Sequence, residues 1–261
     1  MGSRHYDEVV TAPIIPGCEP FSASNGPNGV LVLHGFTGNP QSMRPLAEAF
    51  ADAGFSVELP LLPGHGTRMD DMIPTRWADW SRAAEQAYAG LRARCDRVLV
   101  AGLSMGGTLT LLLAERHPEI AGIVLVNPLV EKAAGSFLES LEEMLAEGIE
   151  HIPGIGSDIA KPNSIESAYD GTPVAPLISL MEGTGEVQAN LAAVTCPVLL
   201  LSSREDHVVP TSSGDAVVAN VSGPVERVFL ERSYHVATLD YDQAEIEERA
   251  VQFALKTLAG S

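Results

Sequence analysis

Aromatic side chains are scarce, at 5% of the 261 residues, so a core has to be built mainly from Ala, Val, Leu and Ile. Basic residues are also few: 16 Lys and Arg stand against 34 Asp and Glu, a formal net charge of −18. A surface of that sign repels phosphate backbones and anionic lipid, which argues against nucleic-acid binding. There are three cysteines, Cys18, Cys95 and Cys196, widely spaced and without a CxxC pair. They offer no disulfide framework and suit a reducing compartment. The seven histidines include no HExxH or comparable spacing, so no metal site is expected. No apolar run approaches the roughly 20 residues of a membrane span. The first residues, MGSRHYDEVVTAP, contain no apolar segment of signal-peptide type. A cytoplasmic protein is expected; the oligomeric state cannot be read from the sequence.

What is present is a regular alternation. Short runs of branched apolar residues occur at Gly29–Leu33, Arg97–Val100, Gly122–Val126 and Val198–Leu201, with Ser56–Leu59 and Val225–Leu230 as further strands. Continuous apolar runs bounded by turn residues suit strands buried on both faces of a parallel sheet. The Pro-, Gly- and Ser-rich lead-in up to about residue 28 has room for one edge strand. Helical periodicity is expected over Pro40–Ala53, Trp77–Ala93, Thr108–Arg116 and Asp242–Leu258, which gives an α/β architecture with helices flanking the sheet. The alternation breaks after Asn127-Pro128, and roughly seventy residues pass before the next strand, a length typical of a lid or binding cap. That segment holds an expected helix, Ser136–Glu147, and apolar residues such as Leu177, Ile178, Leu180 and Met181 that require burial. The expected division is a core of residues 1–128 and 192–261 with a cap over 129–191.

Gly102-Leu103-Ser104-Met105-Gly106 is a G-x-S-x-G between an apolar strand and a helical run. In that context the glycines relieve a clash at a sharp strand-to-helix turn. Ser104 would then project from the carboxyl end of the sheet, where open α/β folds bind ligands. A helix N-terminus beneath it favours developing negative charge. Acyl transfer also needs preorganised donors for an oxyanion. Met105 N–H is one candidate, and Phe36 N–H, in the loop His34-Gly35-Phe36-Thr37-Gly38, is the other. A serine hydroxyl needs a base, and His235, after the late strand Val225–Leu230, occupies the expected position in the order serine, acid, histidine. Asp206, in the loop after Val198–Leu201, is the candidate acid; Glu205 and Asp240 are its rivals. His34 is expected to hold the oxyanion loop, His65 to be structural, and His207 to be a neighbour of the acid.

The stretches HGFTGNPQSMRPLAEAFADAGF, LPGHGT, GLSMGGTLTLLLAERHPEI, EDHVVP and SYHVATLDYD together resemble the bacterial monoacylglycerol lipases and small Bacillus-type carboxylesterases of the α/β-hydrolase superfamily. The resemblance runs from about residue 28 to the end. It implies an α/β-hydrolase fold with a small cap after the sixth strand of the family's sheet. It further implies ester hydrolysis without metal or cofactor, and the triad Ser104, Asp206 and His235 with oxyanion donors Phe36 and Met105. The stretch GIGSDIAKPNSIESAYDGTP is also similar. By that similarity Glu166 matches a glutamate that bonds glycerol hydroxyls, and Ile155 matches an aliphatic residue against the acyl chain. The expected partner is therefore a small ester or lipid, with transient membrane or micelle contact through the cap. A carboxylesterase without glycerol selectivity is the alternative; a non-catalytic receptor on the same scaffold is a remote one.

Overall fold

The computed structural model describes residues 12–154 and 156–259. Nine strands and eight α-helices follow in chain order: β1 (Phe21–Ala23), β2 (Asn28–Leu33), α1 (Arg44–Asp52), β3 (Ser56–Leu59), α2 (Met69–Met72), α3 (Trp77–Arg92), β4 (Arg97–Leu103), α4 (Met105–Arg116), β5 (Ile123–Val126), α5 (Gly135–Ala146), β6 (His151–Pro153), β7 (Gly171–Pro173), α6 (Val174–Asn190), β8 (Val198–Ser203), α7 (Ser212–Asn220), β9 (Val225–Leu230) and α8 (Gln243–Leu258).

Seven strands form one sheet in the order β1-β3-β2-β4-β5-β8-β9. Only β1 is antiparallel; it is the edge strand that the lead-in had room for. The central strands feed two cores by simple alternation. Val98 and Val100 of β4 face one side with Leu31 and Leu33 of β2, under α3 and α4. Leu99, Ala101 and Leu103 face the other side with Val30 and Val32, against α1 and α8. Burial on both faces is why these strands read as unbroken apolar runs. No helix among the described residues is long and apolar enough to cross a membrane.

Helix α4 begins at Met105, earlier than its periodicity suggests. Ten of its twelve residues are buried, so its start carries no polar face to announce it. The long helical pattern near residue 40 is split into a 3₁₀ turn, Pro40–Ser42, and α1. The main departure is α6, seventeen residues that the sequence showed only as apolar positions. Pro176 in its first turn and two glycines hide it. Gly183 is required there, because a Cβ would enter the Trp77 ring on α3. The segment between β5 and β8 thus holds α5, the antiparallel pair β6–β7 and α6. Leu141 of α5 packs on Val174 and Leu177 of α6, while Leu180 and Val187 reach the main core.

The sheet approaches α4 so closely that two positions admit no side chain. A Cβ on Gly102 would fall against the Gly106 carbonyl, and one on Gly106 would fall against the Leu33 carbonyl. Both obstacles are backbone, so neither can swing away. Gly106→Ala is therefore expected to lower the unfolding free energy by at least about 2 kcal/mol, measured by urea denaturation followed by circular dichroism.

Candidate active site

Ser104 lies between the last residue of β4 and the first of α4, with φ 56° and ψ −119°. That region is sparsely populated for a non-glycine residue and costs about 1–3 kcal/mol. Neighbouring strands hold it in place. Ser104 N–H donates to Val126 O at 3.1 Å, and its carbonyl accepts from Thr108 N–H at 3.1 Å and Leu129 N–H at 3.3 Å. Met105 is the first residue of α4, so its N–H has no acceptor within the helix.

The 34–38 loop lies directly alongside. A Cβ on Gly35 would sit 3.5 Å from Ser104 Cβ, so Phe36 begins one residue from the serine's contact surface. His34 fixes this loop: its Nδ1 is 2.9 Å from Gly35 O, and its Nε2 accepts the Leu62 N–H at 3.1 Å. Accepting at Nε2 makes His34 a neutral imidazole with its proton on Nδ1. His65 packs edge-on to it at 5.0 Å.

Asp206 and His235 meet beyond the carboxyl ends of β8 and β9. His235 Nδ1 is 2.8 Å from Asp206 Oδ2, with both side chains more than nine-tenths buried. Asp206 Oδ1 accepts the N–H groups of Val208 and Val209 at 2.9 and 2.8 Å, so the carboxylate is fixed by its own loop. The rivals lie elsewhere. Glu205 is exposed. Asp240 is buried and accepts four backbone N–H groups, those of Ala160, Lys161, Tyr234 and Tyr241.

Ser104 and His235 line one cavity of about 480 Å³. Its apolar wall comes from Leu129, Phe137, Ile152, Leu177, Leu180 and Met181. Glu166 also lines the cavity, and its Oε1 lies 2.6 Å from the place a Cβ on Gly38 would take. Burial pushes the Glu166 carboxyl above the usual carboxylate range, opposed by His235 and by the Ser42 hydroxyl. The segment carrying it is laced to the loop after β2. Gln41 accepts from Ser167 N–H and donates to Ile165 O, Asn39 donates to Ser167 O, and Tyr169 N–H donates to Thr37 O. Ile155 lies outside the described residues.

Against known proteins, a family model described as "Serine aminopeptidase, S33" (Hydrolase_4) matches residues 27–242. The chain is 46% identical over 248 residues to a "Thermostable monoacylglycerol lipase" of Bacillus sp. (strain H-257), covering 94% of this chain and 97% of that one. The chain belongs to the bacterial monoacylglycerol lipase and small carboxylesterase family of α/β-hydrolases. A "Carboxylesterase" of Bacillus subtilis (strain 168) is 26% identical over 91% of this hydrolase and 96% of that chain. A solved chain described under "LipS and LipT, two metagenome-derived lipolytic enzymes" superposes with TM-score 0.89 at 41% identity, over 94% of this chain and 100% of that one.

Three residues of this hydrolase's site escape sequence reasoning. Asn127, with φ 42°, donates to Ser203 Oγ and to the Tyr234 and His235 carbonyls while accepting Ser203 N–H. It marks the place where the strand alternation breaks, which was its only signal. Asp240 was visible as a carboxylate, but its partners at 160 and 161 lie between β6 and β7. Asp158 contacts His207 and His235 and had no signal of its own.

Burial pulls His34 down to about 3, with the nearby His65 adding to the effect, and pulls His65 itself down to about 4. Each is therefore neutral when folded at pH 7. A histidine depressed in this way binds fewer protons folded than unfolded. Its stabilising contribution is complete above the unfolded value of about 6.5 and is lost as pH falls toward the folded value. Glu115, raised to about 7 by burial, works in the opposite direction but cancels when two variants share it. Between pH 6.5 and 4 the unfolding free energy of His65→Gln is thus expected to depend less steeply on pH than that of the wild type. The expected difference is about 1.4 kcal/mol per pH unit, read from urea melts at several pH values.

Proposed function

We propose that this α/β-hydrolase is a serine esterase that cleaves monoacylglycerols through an acyl-enzyme at Ser104. The observation that carries the reading is the buried His235–Asp206 pair at 2.8 Å, with His235 sharing a cavity with a serine held in a strained turn. His235 takes the Ser104 proton as Oγ attacks the ester carbonyl. Asp206 holds the imidazole in the tautomer with its proton on Nδ1 and stabilises the imidazolium. The N–H groups of Phe36 and Met105 receive the oxyanion. The tetrahedral adduct collapses, the carbon–oxygen bond to glycerol breaks, and His235 delivers its proton to the leaving oxygen. Water, deprotonated by the same histidine, then attacks the acyl-enzyme; the carbon–oxygen bond to Ser104 breaks, His235 returns the proton to Oγ, and the fatty acid leaves.

The substrate class follows from the lining of the cavity. The apolar wall suits an acyl chain. Glu166, which also borders the cavity and is an acceptor when ionised, suits the two free hydroxyls of a monoacylglycerol. Di- and triacylglycerols would bring no such hydroxyl pair and more bulk. We assign residues 129–191 as the cap. Its exposed Phe137, Leu145 and Ile149, set among Glu139, Glu142, Glu143 and Glu147, suit transient contact with neutral rather than anionic lipid assemblies.

A simple carboxylesterase lacks the glycerol preference, and one comparison separates the two readings. In Glu166→Ala, with Ser104→Ala as the inactive blank, kcat/KM for a monoacylglycerol is expected to fall by about tenfold or more while that for the matching methyl ester stays within about twofold. An equal loss on both esters favours the unselective carboxylesterase. Turnover by Ser104→Ala would remove the serine mechanism.

A further inference from the structure

The loops that carry the acid and the base are held mostly by core carboxylates. Around His235, the N–H groups of Arg232 and Ser233 go to Asp242, and that of Tyr234 goes to Asp240. In the acid loop, the N–H groups of Val208 and Val209 go to Asp206 itself. Three further donors, at His207, His235 and Val236, all go to one residue of the inserted segment. Asp158 Oδ2 accepts the His235 N–H at 3.0 Å and the His207 N–H at 3.2 Å, and its main-chain carbonyl accepts the Val236 N–H at 3.1 Å. Its Oδ1 lies 2.8 Å from His207 Nδ1. The Asp158 side chain is 14% exposed, whereas His207 is 58% exposed.

We propose that Asp158 is a positioning residue that staples the loop of Asp206 to the loop of His235, so that the pair is aligned only while this part of the inserted segment is docked. The inference rests on the triad reading above. Asp158 borders the cavity, but its carboxylate already faces three protein donors, which leaves little capacity for substrate. The next residues reinforce the docking: Ala160 and Lys161 N–H donate to Asp240, and Ser164 Oγ donates to Leu239 O. Residues 158–164 are therefore tied to the loop that carries His235. Loss of Asp158 leaves the His235 N–H without its acceptor and frees the two loops to separate. A catalytic pair displaced by about an ångström reacts far more slowly even when substrate still binds.

The test is steady-state hydrolysis of p-nitrophenyl acetate, which does not need to fill the cavity, by variants whose folding is checked by circular dichroism. Asp158→Ala is expected to lower kcat by about tenfold or more with KM within about twofold. Asp158→Asn, which keeps an oxygen for the two N–H groups, should stay within about threefold of wild type. The low-field proton NMR signal of His235 Nδ1–H should broaden or vanish in Asp158→Ala and persist in Asp158→Asn. If Asp158→Ala does not fold, Asp158→Glu displaces the carboxylate by one methylene and should show the same fall in kcat. Wild-type kcat in folded Asp158→Ala or Asp158→Glu overturns the inference. Asp206→Ala distinguishes this from failure of the triad. If Asp206→Ala is inactive while Asp158→Ala matches wild type, only the positioning role falls. If Asp206→Ala is fully active, the triad itself falls.

Discussion

The structure depends on one turn, in which the backbone passes from β4 into α4 within a single residue. Ser104 bears the strained conformation, and the approach is possible because Gly102 and Gly106 present no side chain to the facing carbonyls. Close packing of strand and helix fixes where the hydroxyl stands. The Val126 carbonyl and the Leu129 N–H hold the turn from the adjoining strand and from the loop after it. The sheet order then decides the rest, because β8 and β9, parallel to β4, deliver Asp206 and His235 to the same rim.

Electrostatics at that rim work by division of labour among carboxylates. Asp206 faces the imidazole ring. Asp240 and Asp242 accept main-chain N–H groups and shape the loop that carries His235. Glu166 borders the cavity, and burial raises its proton affinity. His34 and His65, beside the 34–38 loop, are desolvated enough to remain neutral, so His34 bonds Gly35 O without placing a cation next to Ser104. In a chain of net charge −18, such fixed hydrogen bonds keep neighbouring acids from acting interchangeably.

The frame was legible in the sequence because strand burial on both faces writes itself as unbroken apolar runs, and because G-x-S-x-G needs its glycines for steric reasons. Ser104, Asp206 and His235 could be proposed from their positions after successive strands. Two things were not legible. Helix α6 carries Pro176, Gly183 and Gly185, which disguise it, and the reason for Gly183 is a Trp77 ring over a hundred positions away. The ties made by Asp158, Asn127 and Asp240 join the segment between β6 and β7 to the loops after β8 and β9, or one strand end to another. Local pattern cannot express a contact whose halves lie 77 or 80 residues apart.

The central claim, that a base activates one serine held in a strained turn, is tested most directly by covalent labelling. Wild-type protein treated with a fluorophosphonate should gain the mass of one phosphonyl group per chain, mapped by peptide mass spectrometry to Ser104, and His235→Ala should label far more slowly. A label on another residue, or no label on folded wild-type protein, would contradict the account.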